Sequence, residues 1–213
     1  MPRIGEVRIA GERTVDDWKA FRTELMNGGT ESAWETAFNN YYLDRLNRRY
    51  LHPIKILQEK GNKTGEGFSI VAIQCSLIEF LESTVQGKTY KYLPYERRHE
   101  LGPHEYSSSE QLFSDFLGRR DPFRQHFGGT LPREFYKSVR CPLLHEARTE
   151  NSWIIKAKCP TGDAVVALGM PRVLYRDNFQ KAFLTFIEWY HQVLLSDAEI
   201  QHAFIRKFNS LCS

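Results

Sequence analysis

Hydrophobic and polar positions follow a helical period along most of this chain. Apolar side chains that recur three and four positions apart predict seven helices. These helices cover residues 14–28, 32–59, 67–85, 109–118, 130–146, 178–195 and 197–209. The helix over 67–85 is apolar on almost all sides, so we expect it to be buried at the centre of the fold. Its charges, Glu79 and Glu82, are expected to face solvent or an arginine of a neighbouring helix.

A few residues predict where the helices begin and bend. Ser32, followed three residues later by Glu35, is the pattern of a capping box at the start of the second helix. Pro53 predicts a bend in the same helix, because proline lacks the backbone donor that a helix interior needs. Thr130, with Pro132 in the first turn, predicts the start of the helix over 130–146.

Short stretches of β-branched and apolar residues interrupt this helical pattern. Residues 3–9 alternate loosely and predict an edge strand. Residues 153–158 and 164–168 predict two strands around a turn at 160–163, and residues 173–175 follow them. We therefore predict a mainly α fold, a helical bundle with a small β-hairpin insertion near residues 152–175.

Composition limits the class of protein. With 213 residues, 41% of them hydrophobic, the chain can bury one good core, so we expect a single domain in which residues 1–30 form an N-terminal extension. No apolar run approaches the length of a membrane span, and the N-terminus lacks the apolar stretch of a signal peptide. We expect a soluble, cytoplasmic protein without a membrane partner. The net charge of +3 permits RNA as a partner without arguing for it.

The cysteines are widely scattered and form no Cys-x-x-Cys motif, which predicts reduced and mostly buried thiols. Cys141 and His145 have the four-residue offset of two metal ligands on one helical face, and Cys159 follows. A zinc site at these residues is an alternative, but Pro142 between the first two and the lack of a clear fourth ligand weigh against it. We predict neither a metal nor a cofactor.

Arg140 and His145 are the strongest candidates for chemistry. An arginine can hold a phosphate with a planar fork of donors, and a histidine can move a proton at neutral pH. Together they indicate phosphodiester chemistry without a metal. Five residues apart on a continuous helix, they differ in direction by about 140°, so they could share a phosphate only if Pro142 kinked or loosened the helix, or if two copies of the chain met in a twofold dimer.

The segment 88–106 mixes cations with tyrosines, a combination that can hold phosphates and stack bases. Lys91, Arg97 and Arg98 are its candidate substrate-binding residues, and Tyr136, on the helix of the pair, is another. The alternative is a surface loop packed by its own tyrosines.

The order of these elements resembles the HEPN superfamily. The resemblance covers roughly residues 32–195: a long helix, a buried helix that ends in Leu77–Glu82, a helix with Phe135–His145, and a small strand pair. Its one sharp motif is an arginine followed after four residues by a histidine. Members are mostly dimeric helical bundles with this motif at the shared interface, and many are metal-independent ribonucleases of prokaryotic antiviral defence, toxin-antitoxin or RNA-processing systems.

The resemblance implies a function for the pair. His145 would act as general base or acid on the ribose 2′-hydroxyl and the leaving oxygen, while Arg140 would hold the scissile phosphate, giving a 2′,3′-cyclic phosphate product. RNA, a second copy of the chain and an antitoxin or other protein would be its partners. Active members usually carry a polar residue after the arginine, where this chain has Cys141. A non-catalytic HEPN-like module that binds RNA or protein is therefore the alternative to an endoribonuclease.

Overall fold

The structure, a computed structural model, describes residues 7–61 and 64–212 and is mainly α-helical, as predicted. The α-helices are α1 (Val15–Met26), α2 (Glu31–Thr36), α3 (Asp44–Leu46), α4 (His52–Lys60), α5 (Glu66–Val85), α6 (Ser109–Arg119), α7 (Leu131–Phe135), α8 (Cys141–Glu146), α9 (Arg176–Ser196) and α10 (Ala198–Ser210). The strands are β1 (Arg8–Ala10), β2 (Arg13–Thr14), β3 (Thr89–Tyr90), β4 (Glu105–Tyr106), β5 (Trp153–Lys156), β6 (Val166–Ala167) and β7 (Arg172–Tyr175).

The chain divides into two compact units. Unit 1 consists of Met1–Pro53, Ser83–Ser107 and Tyr190–Ser213, and unit 2 consists of Ile54–Glu82 and Ser108–Trp189. Each unit therefore gathers segments that are distant in sequence, and each has its own set of buried aromatic side chains.

Trp18 of α1 anchors the N-terminal segment in unit 1. Its side chain is fully buried, and its ring centroid lies 5.3 Å from those of both Tyr41 and Phe208. Its indole Nε1 donates a hydrogen bond of 2.9 Å to Oδ1 of Asn209, in α10. Aromatic contacts of this kind add to the free energy of apolar burial. The described part of the segment 1–30, predicted as an extension, thus contributes to the core of unit 1.

The predicted first helix is confirmed, and its start has a clear cause. The hydroxyl of Thr14 accepts a hydrogen bond from the backbone N–H of Asp17, and the carboxylate of Asp17 accepts one of 2.8 Å from the backbone N–H of Thr14. The backbone N–H and the hydroxyl of Thr14 both donate to the Asp17 carboxylate and lower its pKa, and the reciprocal bonds form a capping box. Before it, β1 pairs with β2. Of the strand expected at residues 3–9, residues 3–6 lie outside the described part of the chain.

The long helix expected over residues 32–59 is present, but it begins with a different cap. Thr30, with an extended backbone, accepts a hydrogen bond of 3.2 Å from the N–H of Ala33. The predicted capping box at Ser32 and Glu35 is therefore wrong, because Ser32 already lies within the first helical turn. The carboxylate of Glu35 instead contacts Nε2 of His191 at 2.9 Å.

Two wide π-helical turns, Ala37–Leu43 and Asn47–Leu51, interrupt this helix. The second ends just before the pair His52 and Pro53. In a π turn the backbone N–H reaches back five residues instead of four. The wider turn gives the ring of Pro53 room against the carbonyl of Arg49, with which it would clash in a regular α-helix. The disturbance predicted at Pro53 thus takes the form of a wide turn before the proline.

Unit 2 has a core of phenylalanines. Phe123 lies 4.7 Å from Phe116, and Phe179 lies 4.6 Å from Phe183, as measured between ring centroids. All four are fully buried. They come from α6, from the turn that follows it and from α9, so this cluster holds together elements that are far apart in sequence.

Helix α5 is the buried helix that the sequence predicts. Most of its side chains are inaccessible to solvent, including that of Glu82, which is 1% exposed. Nε and Nη2 of Arg120 each donate a hydrogen bond of 2.9 Å to its carboxylate, which confirms the expected arginine partner. Within the described residues, α5 is long and apolar enough to cross a bilayer, but 67% of that apolar window is buried, as in the core helix of a soluble protein.

The small sheet contains the expected hairpin but pairs its strands differently. We expected the strand at 153–158 to turn directly into that at 164–168. Instead β6 and β7 form the antiparallel hairpin, and β5 adds to β7 in parallel, so that the strand order is β5, β7, β6. The buried side chain of Asn178 explains this, because its amide group accepts from the N–H of Cys159 at 3.3 Å and donates to the carbonyl of Gly162 at 3.0 Å. These bonds hold the connection against α9.

Replacing Arg120 tests the importance of its pair with Glu82. We expect Arg120→Met to lower the free energy of unfolding by about 3 kcal/mol, because it leaves a buried carboxylate without its cation. The control Arg119→Met removes an adjacent arginine whose side chain is 76% exposed and should cost less than about 0.5 kcal/mol. Denaturant unfolding measures both values. Equal losses in the two variants would contradict the assignment, and adding Glu82→Leu to Arg120→Met should recover most of the stability.

Candidate functional site

Arg140 and His145 lie on one uninterrupted helical stretch in unit 2. Helix α7 leads into a π-helical turn, Tyr136–Arg140, and α8 follows at once. Phe135, at the end of α7, is fully buried and lies 5.3 Å from Trp153 of β5 between ring centroids. The apolar face of the helix thus packs into the core and fixes the direction in which the polar residues point.

The π turn is the loosening that the sequence predicts near Pro142. The N–H of Cys141 donates to the carbonyl of Tyr136, five residues earlier. Pro142 has no N–H to offer the carbonyl of Ser138, and the backbone N–H of Glu150 donates to that carbonyl instead, at 2.8 Å. The side-chain amide of Asn151 also donates to Oγ of Ser138, at 2.8 Å. The loop after α8 therefore donates the hydrogen bond to the Ser138 carbonyl that Pro142 cannot donate.

This loosening does not bring Arg140 and His145 together. The wide turn lies before Arg140, whereas the residues between the two form α8. The backbone of Arg140 (φ −61°, ψ −49°) and of Cys141 (φ −67°, ψ −54°) is α-helical. The angular offset between the two side chains thus stays at about 140°. Within one chain they point to different sides of the helix.

The guanidinium of Arg140 is held by two neighbours. Its Nη2 lies 3.9 Å from Oε2 of Glu79 in α5, and its Cζ lies 5.2 Å from the ring centroid of Tyr136. The other oxygen of Glu79 accepts a hydrogen bond of 2.9 Å from the hydroxyl of Ser109, the first residue of α6. The side chain of Arg140 remains 20% exposed. Because 3.9 Å is too long for a hydrogen bond, the contact with Glu79 leaves donors of the guanidinium available to an anion.

Two thiols and a phenol lie beside this arginine. Burial raises the pKa of Tyr136, the charge of Arg140 opposes that shift, and a side-chain hydrogen bond joins the phenol to Cys141. Burial also raises the pKa of Cys75 to about 12, again against the effect of Arg140. Tyr136 and Cys75 therefore stay protonated at neutral pH, and the site keeps the positive charge of Arg140 without a competing phenolate or thiolate from these two groups.

His145 has a different environment. Its side chain is exposed in the last turn of α8, next to Leu144, which is 46% exposed. Among the described residues, no hydrogen bond or ion pair involves its imidazole. The helix ends two residues later at Ala147, whose backbone is left-handed (φ 53°). The imidazole is thus accessible to a ligand or to a second molecule.

The other predicted substrate-binding residues lie in unit 1, where each has a partner within the chain. Nζ of Lys91 lies 2.9 Å from a carboxylate oxygen of Glu105. Nε and Nη2 of Arg97 each donate a hydrogen bond of 2.7 Å to Glu100. The structure therefore gives Lys91 and Arg97 acidic partners that the sequence pattern did not reveal.

Two tyrosines of the same segment are largely exposed to solvent. Tyr92 and Tyr95 are 76% and 78% exposed. Cζ of Arg98 lies 5.4 Å from the ring centroid of Tyr95, which places a cation over an aromatic face. Backbone bonds between β3 and β4 hold the two ends of this segment together. The segment is thus a surface loop, as the alternative described it, but the side chains of Tyr92 and Tyr95 do not pack inward.

The cysteines are free, as predicted, but only Cys75 is buried. Cys141, Cys159 and Cys212 are each partly exposed. In the described part of the chain, no three side chains of His, Cys, Asp or Glu lie together as metal ligands would, so Cys141, His145 and Cys159 do not form the zinc arrangement that their spacing suggested.

The sequence pattern did not indicate the roles of Ser109, Glu150 and Asn151. Ser109 orients Glu79, and the other two support the π turn around Ser138. Asn151 has a left-handed backbone (φ 51°), which asparagine tolerates better than most residues, so its place after the helix was the one local signal. The contacts of Ser109 and Glu150 depend on tertiary structure alone. No family model, curated protein or solved structure matches this chain.

Thiol labelling tests the environment assigned to Cys75. At a pH of about 8, we expect iodoacetamide to alkylate Cys141, Cys159 and Cys212 well before Cys75, because Cys75 is buried and its raised pKa keeps it protonated. Mass spectrometry of peptides from native protein gives the order of labelling. Denatured protein is the control, in which all four thiols should react at similar rates. Early labelling of Cys75 in native protein would disprove its burial.

Proposed function

We propose that this protein is a metal-independent endoribonuclease of the HEPN type, in which Arg140 and His145 act at a twofold dimer interface. The observation that carries the proposal is the state of the two side chains. Arg140 is positioned by Glu79 and Tyr136 and keeps donors free, while the imidazole of His145 is exposed. A phosphate-binding cation and a proton-transfer group thus lie five residues apart on one helical stretch, both accessible.

The angle between the two residues supports the proposed dimer. With an offset of about 140°, one chain cannot direct both side chains to one phosphate. Two helices related by a twofold axis can form one cleft that contains both copies of each residue. The exposed Leu144, adjacent to His145, offers apolar surface for such a contact.

In this cleft, the two copies of His145 divide the proton transfers. One imidazole accepts the proton of the ribose 2′-hydroxyl, and the 2′-oxygen attacks the adjacent phosphorus. The bond from phosphorus to the 5′-oxygen breaks, and the second imidazole, in its protonated form, donates a proton to that oxygen. Arg140 offsets the negative charge that develops on the phosphate oxygens. The products are a 2′,3′-cyclic phosphate and a 5′-hydroxyl.

Glu79 acts as a positioning residue for Arg140. Its second oxygen accepts from Ser109, which holds the carboxylate in place. A cation beside a fixed carboxylate has a restricted orientation but a reduced net charge, so a phosphate must compete with Glu79 for the guanidinium. Because the 3.9 Å contact is too long for a hydrogen bond, little free energy is lost when a phosphate replaces Glu79.

Single-stranded or loop RNA is the substrate that this surface chemistry favours. Tyr92 and Tyr95 expose ring faces on which unpaired bases can stack, and Arg98 adds a cation. Duplex RNA would not present its bases to them. We propose a prokaryotic defence or toxin-antitoxin setting with an antitoxin or other protein partner, as the resemblance implies.

A second candidate function is a non-catalytic HEPN-like module that binds RNA or protein. The contact between Arg140 and Glu79 favours this second function, because an arginine beside a carboxylate can have a purely structural role. Cys141 also stands where active members usually carry a polar residue. In that case the exposed tyrosines would bind a partner without cleavage.

Cleavage of labelled RNA in EDTA distinguishes the two functions. We expect the wild-type protein to cut, and Arg140→Ala and His145→Ala each to lose roughly a hundredfold or more in rate, since they remove the charge and the proton transfer that cleavage requires. The matched controls are Arg133→Ala, an exposed arginine of the same helical stretch, and His104→Ala, an exposed histidine of unit 1. Both controls should retain activity. Equal background cleavage in all five proteins would leave only the binding function.

Mixing wild-type and variant protein tests the shared cleft. If each dimer has one cleft that needs both copies of His145, activity after subunit exchange should follow the square of the wild-type fraction. An equal mixture with His145→Ala should then retain about one quarter of the activity of wild-type protein at the same total concentration. Retention of about one half would show that each chain acts alone, and a monomeric mass in solution would exclude the cleft.

A further inference from the structure

Unit 1 contains a cavity that shares no residue with the proposed ribonuclease site. Its volume is about 520 Å³, within the range of roughly 300–1,000 Å³ that is typical of small-molecule sites. The end of α1, the turn at Gly28 and Gly29, Trp34 of α2 and the middle of α10 surround it. A site of this size can hold a small molecule such as a mononucleotide.

One part of the cavity wall is apolar. Leu25, Met26 and Ile205 contribute aliphatic side chains, and Trp34 contributes its indole. The turn brings backbone close to that indole, because a Cβ at Gly29 would lie 3.0 Å from Cα of Leu25 and 3.4 Å from Nε1 of Trp34. Glycine at this position therefore keeps the space beside the indole nitrogen open.

The other part carries hydrogen-bond donors that the protein does not use. Nε1 of Trp34 makes no hydrogen bond to any described residue and is not sealed from solvent, so a ligand can reach it. The guanidinium of Arg206 makes no ion pair or hydrogen bond with the described part of the chain, and its Nε is buried without a partner. No carboxylate of the described residues therefore offsets the charge of Arg206, and an anion in the cavity would do so.

The position of Arg206 is fixed by close packing. A Cβ at Gly87 would lie 2.8 Å from Nε of Arg206 and 2.7 Å from Cα of Ala203, so only glycine permits this contact. Arg206 is thus held against backbone through its Nε, and it is also one of the residues that line the cavity. The residues that line the cavity include the imidazole of His202 and no carboxylate. The electrostatic balance of the wall is therefore positive.

We propose that this cavity binds a small organic anion, with its phosphate or carboxylate group held by Arg206 and the indole N–H of Trp34 and its apolar body against Leu25, Met26 and Ile205. A phosphate or a carboxylate supplies acceptor oxygens to these donors and offsets the charge of Arg206. The site goes beyond the ribonuclease function and does not depend on it.

Calorimetric titration with paired probes tests the site. Adenosine 5′-monophosphate and indole-3-acetate carry the two kinds of anionic group, and adenosine and 3-methylindole are their neutral counterparts. We expect at least one anion to bind at one molecule per chain, and its neutral counterpart to bind at least about tenfold more weakly, because the charged hydrogen bonds are lost. Binding of the nucleotide alone identifies phosphate as the group, and binding of indole-3-acetate alone identifies carboxylate.

Substitutions locate the binding within the cavity. Arg206→Met should weaken binding of the anion at least about tenfold, whereas Arg13→Met, an exposed arginine of β2, should leave it unchanged. Met26→Trp adds bulk at a side chain that is 64% exposed, so it should block the cavity without disturbing the core, which keeps the test valid if Arg206→Met does not fold. No binding of either anion, equal binding of the neutral probes, or unchanged binding in Met26→Trp would each overturn the proposal.

Discussion

The burial of carboxylates along helix α5 governs the arrangement of unit 2. Glu82 lies almost wholly inside the protein, where an ionised carboxylate is tolerated only with a cation and hydrogen bonds, and Arg120 supplies both. One turn earlier, Glu79 is less buried and faces Arg140 at a longer distance. The same helix thus pairs closely with one arginine and contacts the other only at a longer distance, so donors of Arg140 are not taken up by Glu79.

Proline shapes the helices of both units in the same way. A wide π turn precedes Pro53 and another precedes Pro142, so that each ring fits beside the carbonyl four residues before it. At Pro142 the orphaned carbonyl of Ser138 accepts from Glu150 of the following loop. The helix is therefore kept continuous through contacts from outside it, and the residues after the proline retain the regular helical offset. This geometry directs Arg140 and His145 to different sides of the helix, which is why the proposed chemistry includes a second subunit.

His145 in unit 2 and the guanidinium of Arg206 in unit 1 have no hydrogen-bond or ion-pair partner among the described residues. The imidazole of His145 is exposed, and Arg206 lines a cavity. The cations of the segment 88–106 are the opposite case, because Glu100 and Glu105 already pair with Arg97 and Lys91. Their exposed neighbours Tyr92 and Tyr95 are consequently the better candidates for contact with RNA.

The sequence by itself determined the helices, since each depends on apolar side chains a few positions apart, and it also identified α5 as the buried one. For the carboxylates of α5 it left solvent and an arginine as alternatives. It placed the start of the first helix correctly but chose Ser32 over Thr30 as the cap of the second, because the two residues have similar capping chemistry and differ in backbone conformation. Only the tertiary structure decided that β7 lies between β5 and β6, that Glu150 satisfies Ser138, and that Trp34 and Arg206 border one cavity. Those contacts join residues distant in the chain, and their free energy depends on packing and burial that local periodicity does not encode.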